Sequence, residues 1–174
     1  MPEGPEVKRI GEGLARAISG KTLIEANILS GRYAKKPPSG WEHINASIPL
    51  RVIGAGVHGK FLYWLCDNET FFYSTLGMTG SWNRKAKKNA RLEFKFSDGS
   101  SVYYNDTRNF GTFKVVKGKQ NLIDKLTGLG PDMLAEDVTD QKFTERLRKK
   151  SNWGITKALM DQSVICGVGN YIKA

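Results

Sequence analysis

Between Lys21 and Tyr104 the chain breaks into short apolar segments separated by turn residues, and this texture constrains the fold more than any other feature. Segments of this kind read as β-strands. They run from Lys21 to Leu29, Leu50 to Val57, Lys60 to Cys66, Thr70 to Thr75, Arg91 to Phe96 and Ser101 to Tyr104, with a Ser97-Asp98-Gly99 turn joining the last two. Ahead of them Val7, Ile10, Leu14, Ala17 and Ile18 recur at helical spacing, with Pro5 in the first turn and Gly20 at the end. The expected body is all-β with one amphipathic N-terminal helix.

Helical texture returns near Leu122. Asn121 to Leu126 forms a short helix stopped by Gly128, Leu129-Gly130-Pro131 makes a break, and Thr139 or Asp140 caps a helix that buries Phe143 and Leu147. A further helix from Gly154 to Val164 presents Ile155, Ala158, Leu159 and Gln162, and Gly167-Val168-Gly169-Asn170-Tyr171 turns into another. That last helix stops soon after it begins, which suggests a piece of a longer protein. With 174 residues, 40% of them hydrophobic, the chain suffices for one core and the beginning of a second. The composition shift at Pro131 divides it into residues 1–131 and 132–174.

Charge narrows the partner. Against 27 Lys and Arg stand 17 Asp and Glu, a net charge of +10, which favours a polyanion, nucleic acid first. A membrane surface is the rival, but there is no apolar run of spanning length, no signal-peptide core and no basic amphipathic helix, so a soluble chain without a membrane partner is expected. Cys66 and Cys166 lie a hundred positions apart with no Cys-x-x-Cys, which points to two reduced, partly buried thiols and to no zinc cluster. The basic run Arg84, Lys85, Lys87, Lys88 and Arg91 falls in a loop between strands, where a solubilising role and a DNA contact weigh equally.

The first six residues, Met1-Pro2-Glu3-Gly4-Pro5-Glu6, suggest chemistry. Removal of Met1 would leave Pro2 with a secondary amine, and a terminal amine has a pKa of about 8, so a useful fraction is nucleophilic near neutral pH. Glu3 stands beside it to move protons, and Glu6 follows one helical turn later. The competing reading is plain: Met-Pro begins many proteins, and Glu suits a helix N-terminus. The hexapeptide alone leaves the two balanced.

Six motifs in order decide between them. Pro2-Glu3-Gly4-Pro5-Glu6, His58-Gly59-Lys60-Phe61-Leu62, Leu76-Gly77-Met78-Thr79-Gly80, Asp106-Thr107-Arg108-Asn109-Phe110-Gly111, Leu129-Gly130-Pro131 and Gly167-Val168-Gly169-Asn170-Tyr171 together resemble the formamidopyrimidine-DNA glycosylase and endonuclease VIII family. The opening and the Gly-Asn-Tyr turn look more like the endonuclease VIII side, whereas Gly-Met-Thr-Gly and Arg-Asn-Phe-Gly lean the other way. The resemblance implies an α+β fold: an N-terminal helix and a two-layer antiparallel β-sandwich over residues 1–131, then the start of a helix-two-turns-helix domain over 132–174. Relatives continue into a β-hairpin finger, zinc-bound or zincless, that these residues do not include; no cofactor is implied for the residues present.

The resemblance also assigns roles. Pro2 would attack C1′ of a flipped-out deoxynucleotide, giving an iminium and then β- and δ-elimination, with Glu3 protonating the opening sugar and Glu6 supporting. Lys60 would reach the lesion or its flanking phosphate, while His58 is structural or phosphate-contacting. Met78, Arg108 and Phe110 would fill the hole left by the flipped base, although spacing alone would make Met78 and Phe110 core residues and Arg108 a surface cation. Arg108-Asn109 replaces the Arg-Arg of many relatives. Asn170 would contact a phosphate from a turn whose glycines expose backbone N–H groups at a helix start. The implied activity is a monomeric bifunctional DNA glycosylase and abasic-site lyase on double-stranded DNA containing damaged bases or abasic sites, with oxidised pyrimidines or hydantoin-like lesions as substrates. The alternative is a DNA-binding remnant without useful turnover.

Overall fold

The computed structural model describes residues 2–174. Helix α1 spans Gly4–Ile18 with Pro5 in its first turn, and turns Val7, Leu14, Ala17 and Ile18 into the core. Glu6 caps it, accepting the Glu3 backbone N–H at 3.1 Å.

The strands are β1 (Thr22–Ile28), β2 (Leu50–His58), β3 (Phe61–Cys66), β4 (Thr70–Thr75), β5 (Gly80–Asn83), β6 (Ala90–Phe96), β7 (Ser101–Asp106) and β8 (Thr112–Lys117). They pair antiparallel in the order β5-β7-β6-β1-β2-β3-β4-β8. Only two residue pairs join β1 to β2, Thr22 with Arg51 and Leu23 with Leu50, and there the sheet folds over into two layers. Alternation then fills the space between them: along β6, Ala90, Leu92, Phe94 and Phe96 are buried while Arg91, Glu93 and Lys95 are not. Trp64 of β3 meets Trp82 of β5 and Phe94 of β6 with ring centroids 5.2 Å apart in each case, and Phe72 of β4 lies 5.9 Å from Phe94. Ring packing across the layers is what makes this a sandwich.

Sequence reading misses four elements of this body. Strand β5 has only four residues, too few to show a period, and β8 follows directly on a glycine-containing motif. Helices α2 (Arg32–Lys35) and α3 (Trp41–Ser47) are each two turns or less, so the all-β body with one helix needs correction; α3 contributes Trp41 and Ile44 to the core.

After the sandwich come α4 (Lys119–Gly128), α5 (Asp140–Arg148), α6 (Ile155–Met160) and α7 (Asn170–Lys173). Thr139 is the cap of α5, its hydroxyl accepting the Lys142 N–H at 3.2 Å. The helix expected to reach Val164 ends at Met160, because the Asp161 carboxylate takes the Ser163 N–H and hydroxyl and turns the chain. Nor does α5 bury Phe143 and Leu147. Both are half-buried and the helix has no buried residue, since its other seven side chains are polar.

Candidate active site

The start of α1 meets the turn before α7, and Glu3 joins them. Its side chain is 2% exposed, and its carboxylate accepts backbone N–H groups from Gly169 at 3.0 Å, Tyr171 at 2.8 Å and Ile172 at 3.1 Å. Gly4 N–H donates to Gly167 O at 2.9 Å alongside. A Cβ on Gly169 would lie 2.4 Å from Glu3 Oε1 and 2.6 Å from Lys60 Nζ, so only glycine lets the turn come this close to both charges. Burial pushes the Glu3 carboxyl up, but the three N–H donors and the Lys60 ammonium outweigh it and hold the group below the usual carboxylate range. Glu3 is therefore ionised at neutral pH.

A cleft of about 320 Å³ opens beside this contact, lined among others by Pro2, His58, Lys60, Lys125, Gln162 and Cys166. Pro2 and Lys60, singled out from sequence, thus come together. Gly59, at φ 60°, turns β2 into β3 where a Cβ would strike Cys166 at 2.4 Å, and its N–H donates to Asp132 at 2.9 Å. His58 is tied through Nε2 to Gly130 O at 2.7 Å, which links the end of β2 to the break before the helices. Gln162 braces the glycine turn: its carbonyl accepts the Gly167 N–H and its amide donates to Val168 O, both at 3.0 Å. Burial, reinforced by Asp132, pushes the Cys166 thiol up to about 11, so at neutral pH it is a neutral thiol and a poor nucleophile. Both cysteines are free.

Two contacts bear on the expected roles. Glu6 lies outside the lining of the cleft, and its carboxylate accepts the Glu3 N–H, which holds the start of α1 in place. Three of the four backbone N–H groups of the Gly169–Ile172 turn, expected to be free for a phosphate, are taken by Glu3, those of Gly169, Tyr171 and Ile172, because a buried carboxylate needs donors. The exposed side chain of Asn170 remains.

The second set of residues sits on two loops at one end of the sandwich. Met78 is 40% and Phe110 63% exposed, and Arg108 is exposed as well, which excludes the core reading of the two apolar residues. Beneath them Asp106, 1% exposed, accepts the Thr79 hydroxyl at 2.5 Å and the Gly111 N–H at 2.9 Å, while Thr79 accepts the Arg108 N–H at 2.9 Å. Arg32 adds a bond from its guanidinium to Gly111 O. One buried carboxylate therefore locks the Met78 loop to the Arg108–Phe110 loop.

Sequence reasoning gave roles to the projecting residues and none to Asp106 and Thr79, although both stand inside the quoted motifs. Lys125 was missed entirely: it lies on α4 with no motif around it, yet lines the cleft and sits 5.2 Å from the Phe61 ring centroid.

A family model described as the formamidopyrimidine-DNA glycosylase N-terminal domain matches residues 1–113. Among curated proteins, formamidopyrimidine-DNA glycosylases of Bacillus licheniformis and Oceanobacillus iheyensis are 32% and 34% identical, each over 98% of this chain. The chain spans 63% and 62% of their lengths. Among solved structures, a Lactococcus lactis formamidopyrimidine-DNA glycosylase non-covalently bound to DNA containing an abasic site is similar at TM-score 0.80 and 27% identity, over 97% of this chain and 65% of that one. MutM in complex with DNA containing carbocyclic 8-oxo-G matches at TM-score 0.82 and 27% identity, over 99% and 65%. An inhibited LlFpg in complex with DNA containing N7-benzyl-Fapy-dG matches at TM-score 0.84 and 27% identity, over 99% and 65%.

Proposed function

The chain belongs to the formamidopyrimidine-DNA glycosylase family, and from that membership we propose that it excises damaged bases from double-stranded DNA and cuts the strand at the resulting site, with Pro2 as nucleophile. The observation that carries this reading is the meeting of Pro2 and Lys60 at one cleft, with the ionised Glu3 carboxylate beside Lys60. The cleft has room for a nucleoside-sized group, whose flipping costs a few kcal/mol.

With Met1 removed, the Pro2 amine attacks C1′; the C1′–N bond to the base breaks, and the base leaves with the electron pair and takes a proton from solvent. The new ammonium passes its proton to the Glu3 carboxylate. Ring opening follows: the nitrogen lone pair forms the iminium, the C1′–O4′ bond breaks, and Glu3 returns the proton to O4′. Thus Glu3 becomes an acid only after the amine has loaded it, which suits a carboxyl held below the usual range. The iminium acidifies C2′, the carboxylate removes that proton, and the 3′-phosphate departs by β-elimination; a second elimination releases the 5′-phosphate. Lys60 stabilises phosphate at the mouth of the cleft, Asn170 grips another, and Met78, Arg108 and Phe110 occupy the vacated stack. Protein groups, solvent and DNA handle every proton in this sequence, without a cofactor.

The similar proteins carry the formamidopyrimidine name, and two solved relatives hold purine-derived lesions, N7-benzyl-Fapy-dG and carbocyclic 8-oxo-G. They support oxidised purines as substrates here, ahead of the pyrimidines expected from sequence.

Borohydride trapping on duplex DNA with an abasic site tests the reading. The chain should become covalently linked, and Pro2→Gly should abolish the link. Absence of a trapped species from the unaltered chain would overturn it; release of oxidised pyrimidine in preference to 8-oxoguanine would overturn the lesion assignment.

A further inference from the structure

Arg84, Lys85, Lys87 and Lys88 fall within five positions of the loop between β5 and β6, and all four are exposed. Among the described residues none of them has a carboxylate within ion-pair distance, whereas Lys21, Lys95, Lys142 and Lys150 each do. A loop that served solubility alone would mix signs; this one concentrates a single sign.

The loop is also fastened. Lys87 N–H donates to Asn105 Oδ1 at 3.1 Å, Asn89 Nδ2 to Thr107 Oγ1 at 2.6 Å, and Asp106 N–H to Asn89 O at 3.1 Å. Asn105 and Asp106 are each 1% exposed, so these anchors belong to the rigid sandwich. Thr107 directly precedes Arg108, which sets Lys87 and Lys88 beside the loop that carries Arg108 and Phe110. At the other end Arg84 lines a groove of about 350 Å³ with Lys21, Ser100 and Tyr103, so the row of cations leads away from the lesion loops.

We propose that this loop is a second phosphate-binding arm, which follows the backbone of duplex DNA on one flank of the lesion while Arg108 and Phe110 engage the damaged step. The proposal rests on the reading above, because that reading puts DNA at the Arg108 loop. Duplex DNA is the occupant the geometry favours: it presents one negative charge per roughly 1.7 Å of axis, a density that a row of unpaired cations on flexible stems can track without a fixed register.

The test is salt-dependent binding of R84Q/K85Q/K87Q/K88Q to a long duplex carrying an abasic-site analogue, and to duplexes trimmed at the lesion on one flank or the other. The four side chains are exposed, so the melting temperature should stay that of the parent chain. On the long duplex the slope of log K against log salt should fall by about 0.9 for each phosphate no longer neutralised, roughly 2 to 4 in all. On one of the trimmed duplexes the difference between variant and parent should vanish. The charge-retaining K85R/K87R/K88R variant should keep the parent slope. An unchanged slope on the long duplex would overturn the proposal and leave a solubilising loop, as would a reduced slope in the charge-retaining variant. Failure of the functional reading looks different: the parent chain would trap on no abasic duplex, while the slope on undamaged duplex would still report on the arm.

Discussion

The β-sandwich and the four helices after it are held together by different forces. Inside the sandwich Trp64, Phe72, Phe94 and Tyr104 are at most 1% exposed and pack ring against ring. Beyond it α5 buries nothing and α6 buries Ala158 alone. Leu122 of α4 packs on Phe61, Phe71 and Tyr73, and Val164, Cys166 and Val168 are buried around the glycine turn, while polar ties supply the rest of the order: Glu3 to Gly169, Tyr171 and Ile172, Asp132 to Gly59, His58 to Gly130, and Arg146 to Ser163 O at 2.8 Å. Apolar burial is shared among many neighbours and fails all at once, whereas a charged hydrogen bond can open locally. The cleft lies at the junction. Glu3 orders α7 and neighbours Lys60 of the cleft, so the position of Asn170 and the ionisation of the Glu3 carboxylate are coupled through one side chain.

The largest effect expected is Trp64→Ala, which removes the ring at the centre of both layers and should cost about 3–5 kcal/mol. Denaturant melts should show the whole molecule losing cooperativity, helices included, because their anchors stand on the sandwich. Helices that stayed ordered after the sandwich melted would break the comparison. Next comes Glu3→Gln, where an amide replaces an acceptor facing backbone N–H groups, at about 1.5–3 kcal/mol for a charged hydrogen bond removed. The loss should be local: faster hydrogen exchange at Tyr171 and Ile172, with sandwich protection unchanged. Strand cleavage at a preformed abasic site should fall as well, because the same carboxylate removes the C2′ proton. The pH dependence follows from the lowered carboxyl. Its contribution is complete above the unfolded value of about 4.3 and is lost as pH falls through the lower folded value, so α7 protection should hold at pH 5 and collapse in stronger acid. Protection already lost near pH 6 would contradict a lowered carboxyl.

How much of this was legible from sequence follows the same division. Helix α1 and six strands are readable because burial imposes a period on them, and β5, α2 and α3 are not, because two turns or four residues hold too little of any period. Pro2, Glu3 and Lys60 were found through motifs. What Glu3 does could not be found that way, because its three donors come from the turn at Gly169–Ile172, up to 169 positions along the chain. Lys125 reaches the cleft only through the path of α4. Asp106 does carry a signal: an acid at the end of an apolar strand, opening a glycine-closed motif, is a candidate for a buried brace.

That brace gives an effect of intermediate size. Asp106→Asn keeps the volume but leaves one oxygen to serve both Thr79 and Gly111, costing about 1–2 kcal/mol. The consequence belongs to the loops and hardly to the fold. Discrimination between bases opposite the lesion should weaken, because Arg108 would no longer be held through Thr79, while affinity for undamaged duplex stays near that of the parent chain. Equal loss on both duplexes would mean that Asp106 only stabilises the sandwich. Thr79→Ser, which keeps the hydroxyl, should retain discrimination.

The smallest effect expected is the sharpest test of the comparison. Phe143 is the one aromatic residue of α5, half-buried on a helix whose remaining side chains, Leu147 aside, are polar. In the sandwich, Phe94→Ala should cost about 3–5 kcal/mol, because its ring touches Trp41, Trp64, Phe72, Trp82 and Phe113 and a void would remain. Phe143→Ala leaves no closed void, and alanine gains roughly half a kcal/mol of helix propensity over phenylalanine, so the net change in global stability should stay within about 0.5–1 kcal/mol. Urea midpoints of the two variants measure the difference directly. A loss at Phe143 as large as that at Phe94 would mean that the helices share an apolar core of their own, and the polar ties through Glu3, Asp132 and His58 would then be ornament on a segment that holds itself together.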